Sequence, residues 1–275
     1  LMNDVERALA YLDKAVFYRY RNVENIKSDT DFINLRADSR YKNLTANFNS
    51  IIEGDLCINR ANESYSKSDF KQAVKFFNDA VTLYSMALWD DSCSMDQLYE
   101  TTGGLYYRMK EHDSAVSFYS RSLNARLKLY GANSNSTAII YNSLGMAYEG
   151  KRDYDNALKS YEKSLEIKIL LYGEKHRNLA GIYANLGNLY GTLYNYEKES
   201  FYLQKGLNLQ IELFGEKSEP VLTAYTYLGR SYQQRGDYKN ALACYEKSLQ
   251  ISLDLYGEKH ASTAVCYAMF GYLHN

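Results

Sequence analysis

Residues 141–164 read YNSLGMAYEGKRDYDNALKSYEKS. The same pattern returns 42 residues on, at 183–206, as YANLGNLYGTLYNYEKESFYLQKG, and again at 225–248 as YTYLGRSYQQRGDYKNALACYEKS. Gly145, Gly187 and Gly229 anchor these copies, and Gly103 and Gly271 extend the 42-residue register on either side. A fixed period in this range marks a stack of like units, none of which buries a core alone. Such a solenoid works by presenting a long surface, and a closed pocket of catalytic residues is not its usual product.

Each glycine sits in a repeated stripe. Four positions before it stands Tyr99, Tyr141, Tyr183, Tyr225 or Tyr267, and one before it Leu144, Leu186, Leu228 or Phe270, with Thr102 the exception. Three after it stands Tyr106, Tyr148, Tyr190 or Tyr232, with His274 last. These offsets form one face of an α-helix. Glycine inside it costs about 1 kcal/mol of helix propensity relative to alanine. Its recurrence therefore implies a second helix passing close over it. That helix follows. Ala73, Ala115, Ala157 and Ala241 stand at one repeated position, followed by Phe77, Tyr119, Tyr161, Leu203 and Tyr245, then by Ala80, Ser122, Ser164, Gly206 and Ser248. Alternating large and small residues suit two close-packed antiparallel helices.

The helix ends are marked as well. Asp69, Asp153, Asn195 and Asp237 precede the second helices as N-caps, each typically worth about 1 kcal/mol. Gly131, Gly173, Gly215 and Gly257 follow them as left-handed C-caps. The one proline, Pro220, falls in a first turn, where it does no harm. The register predicts first helices near 52–66, 94–109, 136–150, 178–192 and 220–234, and second helices near 70–87, 112–130, 154–172, 196–214 and 238–256. Glu199 breaks the pattern at the alanine position. Its unit is expected to splay until the carboxylate reaches water or a cation.

Tyr, Leu-Gly, Tyr, Ala, aromatic and small, at these offsets, resemble the tetratricopeptide repeat (TPR), a helix–turn–helix unit. The 42-residue spacing and the LYGEKH loop are similar to the kinesin light chain subgroup. The resemblance implies an all-α, TPR-type α-solenoid, a right-handed superhelix of antiparallel helix pairs. It covers about residues 50–275, read as five repeats plus a terminal single helix. Residues 1–49 read as an N-terminal helical segment. VERALAYLDKAV looks like the second helix of a preceding repeat, and SDTDFINLRADSRYKNL resembles a tail closing such a run. Asp38 is placed to cap a helix from Ser39. One helical run is expected to end near residue 45 and the next array to begin near Ile51, as a junction within one superhelix. Leu1 opens in mid-helix pattern and Asn275 closes after the first helix of a sixth unit, which suggests a fragment of a longer protein.

Composition narrows the function. Net charge is −1 and the pI about 6.5, which offers no basic field for nucleic acid. No apolar run approaches the roughly 20 residues of a membrane span. Cys57, Cys93, Cys244 and Cys266 lack paired spacing, and Cys57 falls at the tyrosine position as a small buried hydrophobe. They read as reduced thiols of a cytoplasmic protein. Most of the 29 tyrosines fall on the inner stripe and are assigned to core packing. Tyr65 and Tyr107 face the groove and are candidates for stacking on a ligand.

Signals of catalysis are poor. His176 and His260 recur with the GEKH loop and read as loop structure. His112 and His274 have no partner at metal-ligand spacing. No phosphate-binding glycine loop or nucleophile motif is present. The reading is therefore non-enzymatic, with no cofactor and no metal.

In TPR arrays the first helices line a concave face. The positions off the buried stripe supply the candidate peptide-binding residues: Asn62 and Tyr65; Glu100 and Tyr107; Asn142, Met146 and Glu149; Asn188; Thr226, Arg230 and Gln233. Asn142 and Asn185 match, one per repeat, an asparagine pair that in kinesin light chain repeats is implicated in holding a peptide backbone. An amide suits this role because it both donates and accepts. Arg230 is the one cation on these positions, too few for the basic cluster that grips a C-terminal carboxylate in chaperone-tail adaptors. The expected function is a protein–protein interaction scaffold binding a peptide or partner helix in the concave groove. The alternative is a sensor or regulatory arm of a larger multidomain enzyme with its effector domain outside this chain.

Overall fold

Where a three-residue turn joins the two helices of a repeat, at residues 67–69, 109–111, 151–153, 193–195 and 235–237, the pair lies antiparallel. The computed structural model describes residues 39–87 and 93–272. Its contacts divide the chain into two units, Leu1–Leu129 and Tyr130–Asn275. The first holds helices α1 (Ser39–Ser66), α2 (Phe70–Met86), α3 (Cys93–Arg108) and most of α4 (His112–Tyr130). The second holds α5 (Asn135–Gly150), α6 (Tyr154–Tyr172), a single 3-10 turn (Arg177–Leu179), α7 (Ala180–Thr192), α8 (Tyr196–Phe214), α9 (Glu219–Gln234), α10 (Tyr238–Tyr256) and α11 (Ala261–Tyr272). No strand occurs among the described residues. In the first unit α2 packs on both α1 and α3, and in the second each helix from α5 to α10 packs on its successor. The fold is an all-α TPR-type solenoid of adjacent helix pairs.

Helix α1 runs from Ser39 to Ser66 without a break, through the stretch near 45–51 where one helical run was expected to end. The segment contains neither proline nor, before Gly54, glycine, so nothing in it stops a helix. The expectations for residues 1–38, the Asp38 cap included, lie outside the described residues.

The glycine stripe acts as the repeat implied, with one correction to its partner. A Cβ on Gly145 would stand 2.5 Å from the Tyr161 ring. The same holds for Gly103 against Tyr119 at 2.8 Å and for Gly229 against Tyr245 at 2.6 Å. The ring just short of midway along the second helix, rather than the alanine before it, demands the missing side chain. Ala157 and Ala241 are fully buried beside it. One turn on, the small residues do more than save space. Ser122 Oγ donates to the Asp96 carbonyl at 2.9 Å, and Ser164 Oγ to the Ala138 carbonyl at 2.7 Å. Each stitches the second helix back to the start of the first.

Asp69, Asp153, Asn195 and Asp237 cap their helices, each accepting from the backbone N–H three residues on. The glycines after the second helices have positive φ, but their ψ near 174° at Gly173, 163° at Gly215 and 176° at Gly257 is extended rather than left-handed helical. This region is essentially restricted to glycine. The left-handed helical residue stands instead inside each pair, at Ser68, Lys110, Arg152, Tyr194 and Gly236. There the next N–H reaches back to close the first helix, as from Asp153 to the Tyr148 carbonyl at 2.9 Å. His176 and His260 belong to the loops. Their Nδ1 atoms accept from the N–H of Asn178 and Ser262, and their rings stack 4.4 Å from Tyr172 and Tyr256. Cys244 and Cys266 are buried, and burial pushes the Cys244 thiol up to about 11. Cys57 is only half-buried, against expectation.

Two glycine substitutions separate close packing from helix propensity. Gly145→Leu should lower stability by about 1–3 kcal/mol or more, because the Tyr161 ring must move. Gly181→Ala meets nothing within 4 Å. It should raise stability by up to about 1 kcal/mol. Urea denaturation of both variants tests this, and an unchanged midpoint for Gly145→Leu would remove the close approach from the account.

Candidate binding surface

In the first unit several expected contact residues serve the fold. Asp96 and Glu100 flank the guanidinium of Arg126, which is 6% exposed. Asp96 Oδ2 lies 3.0 Å from its Nε, and the pair is closed by Glu100 on Nη2. A buried cation needs such partners, so Glu100 ties α3 to α4. Tyr65 is exposed on α1, but its hydroxyl accepts from Arg108 Nη1 at 2.7 Å, and that guanidinium lies over the Phe70 ring at 4.6 Å. Tyr107 meets the His112 ring edge-on at 5.5 Å. Asn62 is exposed and lines a cavity of about 300 Å³ with Asp55, Ile58 and Gln97.

In the second unit the first helices adjoin. Asn185 Nδ2 of α7 donates to Asn142 Oδ1 of α5 at 3.1 Å, and Asn142 Nδ2 lies 3.8 Å from Met146 Sδ. The two asparagines expected to hold a backbone thus hold each other. Tyr161, whose ring covers Gly145, donates its hydroxyl to Glu149 Oε2 at 2.9 Å, and Tyr245 donates likewise to Gln233 Oε1 at 2.7 Å. In these two repeats the core ring is therefore tied at its outer end to a polar residue of the first helix. Thr226 turns toward α10, bonded to the Leu222 carbonyl at 3.0 Å and to Ser248 Oγ at 2.9 Å. Asn188 and Arg230 remain exposed.

The fourth repeat departs from this scheme in three linked places. Leu203 replaces the tyrosine, so no hydroxyl needs an acceptor. Gly191 stands where Glu149 and Gln233 supply that acceptor. Glu199 replaces the alanine and fills the vacated space, with Oε1 at 2.5 Å from where a Gly191 Cβ would be. The expectation that Glu199 would escape to water is overturned. It is 3% exposed, and its Oε2 has no hydrogen-bond partner. Helix α8 keeps the 19-residue length of α6 and α10, and only the opening 3-10 turn marks the unit as irregular. The missing side chain of Gly191 gives the carboxylate room without rotating the helix.

Glu199, Asn188 and Arg230 line one cavity of about 470 Å³, bounded by α7, α8 and α9. Tyr194, Tyr227 and Ser231 contribute to its wall. Sequence reasoning named Asn188 and Arg230 and treated Glu199 as a defect. Three coincident exceptions in one repeat were the available signal. Ser231 had a fainter one: Leu105, Ala147 and Leu189 occupy its position in other repeats.

The family model described as tetratricopeptide repeat matches residues 94–169, 138–212 and 220–275. The chain belongs to this family. Among curated proteins none matches its sequence. Solved structures share the fold. BtubC (BKLC) from P. vanneervenii is 21% identical with a TM-score of 0.61, covering 92% of each chain. A putative kinesin light chain from Podosopora anserina, with nearly identical TPR-like repeats, is 16% identical with a TM-score of 0.64, covering 74% of this chain and 95% of its own. The apo form of RapI is 17% identical with a TM-score of 0.66, covering 98% of this chain and 82% of its own. The expected likeness to kinesin light chain repeats therefore holds for the fold.

Glu149 gives a pH-dependent test of its tie to the Tyr161 ring. Burial pushes its carboxyl above the usual range, and the Tyr161 hydrogen bond only partly offsets this. A raised acid binds its proton more tightly in the folded chain, so it lowers stability as pH rises above the ordinary value of 4.5. Glu149→Gln keeps an acceptor for Tyr161, as Gln233 does for Tyr245. It should melt higher than wild type at pH 7, and the difference should shrink to nothing as pH falls below about 4.5. Melting curves from pH 4 to 8 check it, and a constant gap would assign the effect to packing.

Proposed function

We propose that this chain is a non-catalytic scaffold that holds a peptide or partner helix along its first helices, centred in the second unit on α5, α7 and α9. TPR arrays are generally protein-interaction scaffolds, and their partners are proteins. The observation that carries the finer reading is the cavity of about 470 Å³ flanked by exposed Asn188 and Arg230 on two successive first helices. Its size falls within the range of about 300–1,000 Å³ usual for ligand clefts. The amide of Asn188 and the guanidinium of Arg230 offer donors to peptide carbonyls. Asn142 and Asn185 fix the spacing of α5 and α7 beneath such a ligand. Glu100, Glu149, Thr226 and Gln233 shape the surface from within and are secondary contacts in this reading. No helix among the described residues is long and apolar enough to cross a membrane.

The test uses the whole chain as bait. Asn188→Ala with Arg230→Ala should reduce capture of a direct partner at least tenfold, since contacts central to an interface commonly cost more than about 1 kcal/mol each when truncated. Its melting temperature should stay near wild type, because both side chains are exposed. Glu246→Ala, exposed on α10 and outside the cavity, serves as the control. A partner lost equally from both variants, or from neither, would move binding off this surface.

A further inference from the structure

The cavity between α7, α8 and α9 holds two unmatched polar atoms. Glu199 is 3% exposed and Ser231 4% exposed, and neither Glu199 Oε2 nor Ser231 Oγ has a hydrogen-bond partner. Buried polar atoms are nearly always paired, and here two orphans line one opening. A carboxylate only accepts, while a hydroxyl can accept or donate. The absent group must therefore bring donors. Tyr194, 78% exposed, and Tyr227 add aromatic rings to the wall. A carboxylate in a cavity whose wall also carries aromatic rings is a setting that attracts an organic cation.

Arg230 shares the cavity, yet no ion pair joins it to Glu199. Arg230 is exposed, whereas Glu199 is buried. The cavity thus carries an inner acid and an outer base. A lone cation would meet like charge on entry. A basic side chain on a peptide would not, because Arg230 can bind the carbonyls or an acid beside it.

We propose that this cavity receives the guanidinium or ammonium group of a basic peptide side chain, seated on Glu199 with Ser231 beside it. The proposal rests on the peptide-scaffold reading above and names the chemistry of one ligand position. Gly191 belongs to the device, since any Cβ there would collide with Glu199 Oε1.

The test compares acetyl-Ala-Arg-Ala-amide with its citrulline analogue, which keeps the shape and loses the charge. Both are titrated into the whole chain and followed by NMR. Wild type should bind the arginine probe at least tenfold more tightly, the scale expected of a charge-assisted hydrogen bond. Glu199→Gln should reduce that preference to within about twofold, and Ser231→Ala, which leaves the acid in place, should weaken it at least about threefold. Should Glu199→Gln fail to fold, Ser231→Ala decides alone. No binding of either probe, equal binding of both, or a preference unchanged in the variants overturns the proposal. So does an arginine probe that binds Arg230→Met but not wild type, since Arg230 would then be the occupant. A protein partner lost from the Asn188/Arg230 double variant but kept by Glu199→Gln would sink this proposal and leave the scaffold reading standing.

Discussion

The Tyr161 ring occupies the space where any side chain on Gly145 would begin, 2.5 Å from the missing Cβ. Much else in each unit follows from that approach. Two helices can cross this closely only if one of them gives up a side chain. The loss of helix propensity, about 1 kcal/mol, is offset by burial of an aromatic ring. The crossing also brings Ser164 within 2.7 Å of the Ala138 carbonyl, so the pair is fixed by a hydrogen bond one turn beyond the ring. Fixing the crossing fixes the direction in which the first helix presents its outer side chains.

The ring also links core to surface. Its hydroxyl reaches Glu149, and that of Tyr245 reaches Gln233. Glu149 and Gln233 are therefore partly core residues. Neither can be exchanged freely without leaving a buried hydroxyl or carboxyl short of a partner. In the fourth repeat the link is cut, because Leu203 has no hydroxyl. Gly191 then has no acceptor to provide, and its position is free for another use. Glu199 takes it from the neighbouring helix.

The helix pairs from α2 onward and the N-caps of their second helices were legible in the sequence, because the 42-residue register repeats each signal several times. The turn inside each pair was not. Ser68, Lys110, Arg152 and Tyr194 adopt left-handed backbone without being glycine, and only Gly236 wears the usual residue. Tertiary packing of two helices enforces a conformation that residue type does not announce. The surface was legible only as a set of positions. Periodicity says which side chains leave the buried stripe, and it correctly set Asn188 and Arg230 outside. It cannot say that Glu100 bends to Arg126 or that Asn142 and Asn185 pair, since these contacts depend on distances between helices.

The fourth repeat shows where regularity stops being the informative quantity. An alanine at position 199 with a tyrosine at 203 would satisfy every packing rule the other units follow. The chain instead carries a buried carboxylate with an unpaired oxygen. A feature of that kind costs about 1–3 kcal/mol, more for a charged group, and nothing in the stacking of α7 on α8 requires it. Local violations of otherwise consistent design tend to fall at functional positions. Here the violation, the glycine that accommodates it and the orphan hydroxyl of Ser231 all border the same cavity. In a repeat array the constant residues explain why the units stack, and coordinated exceptions such as these set one unit apart from its neighbours.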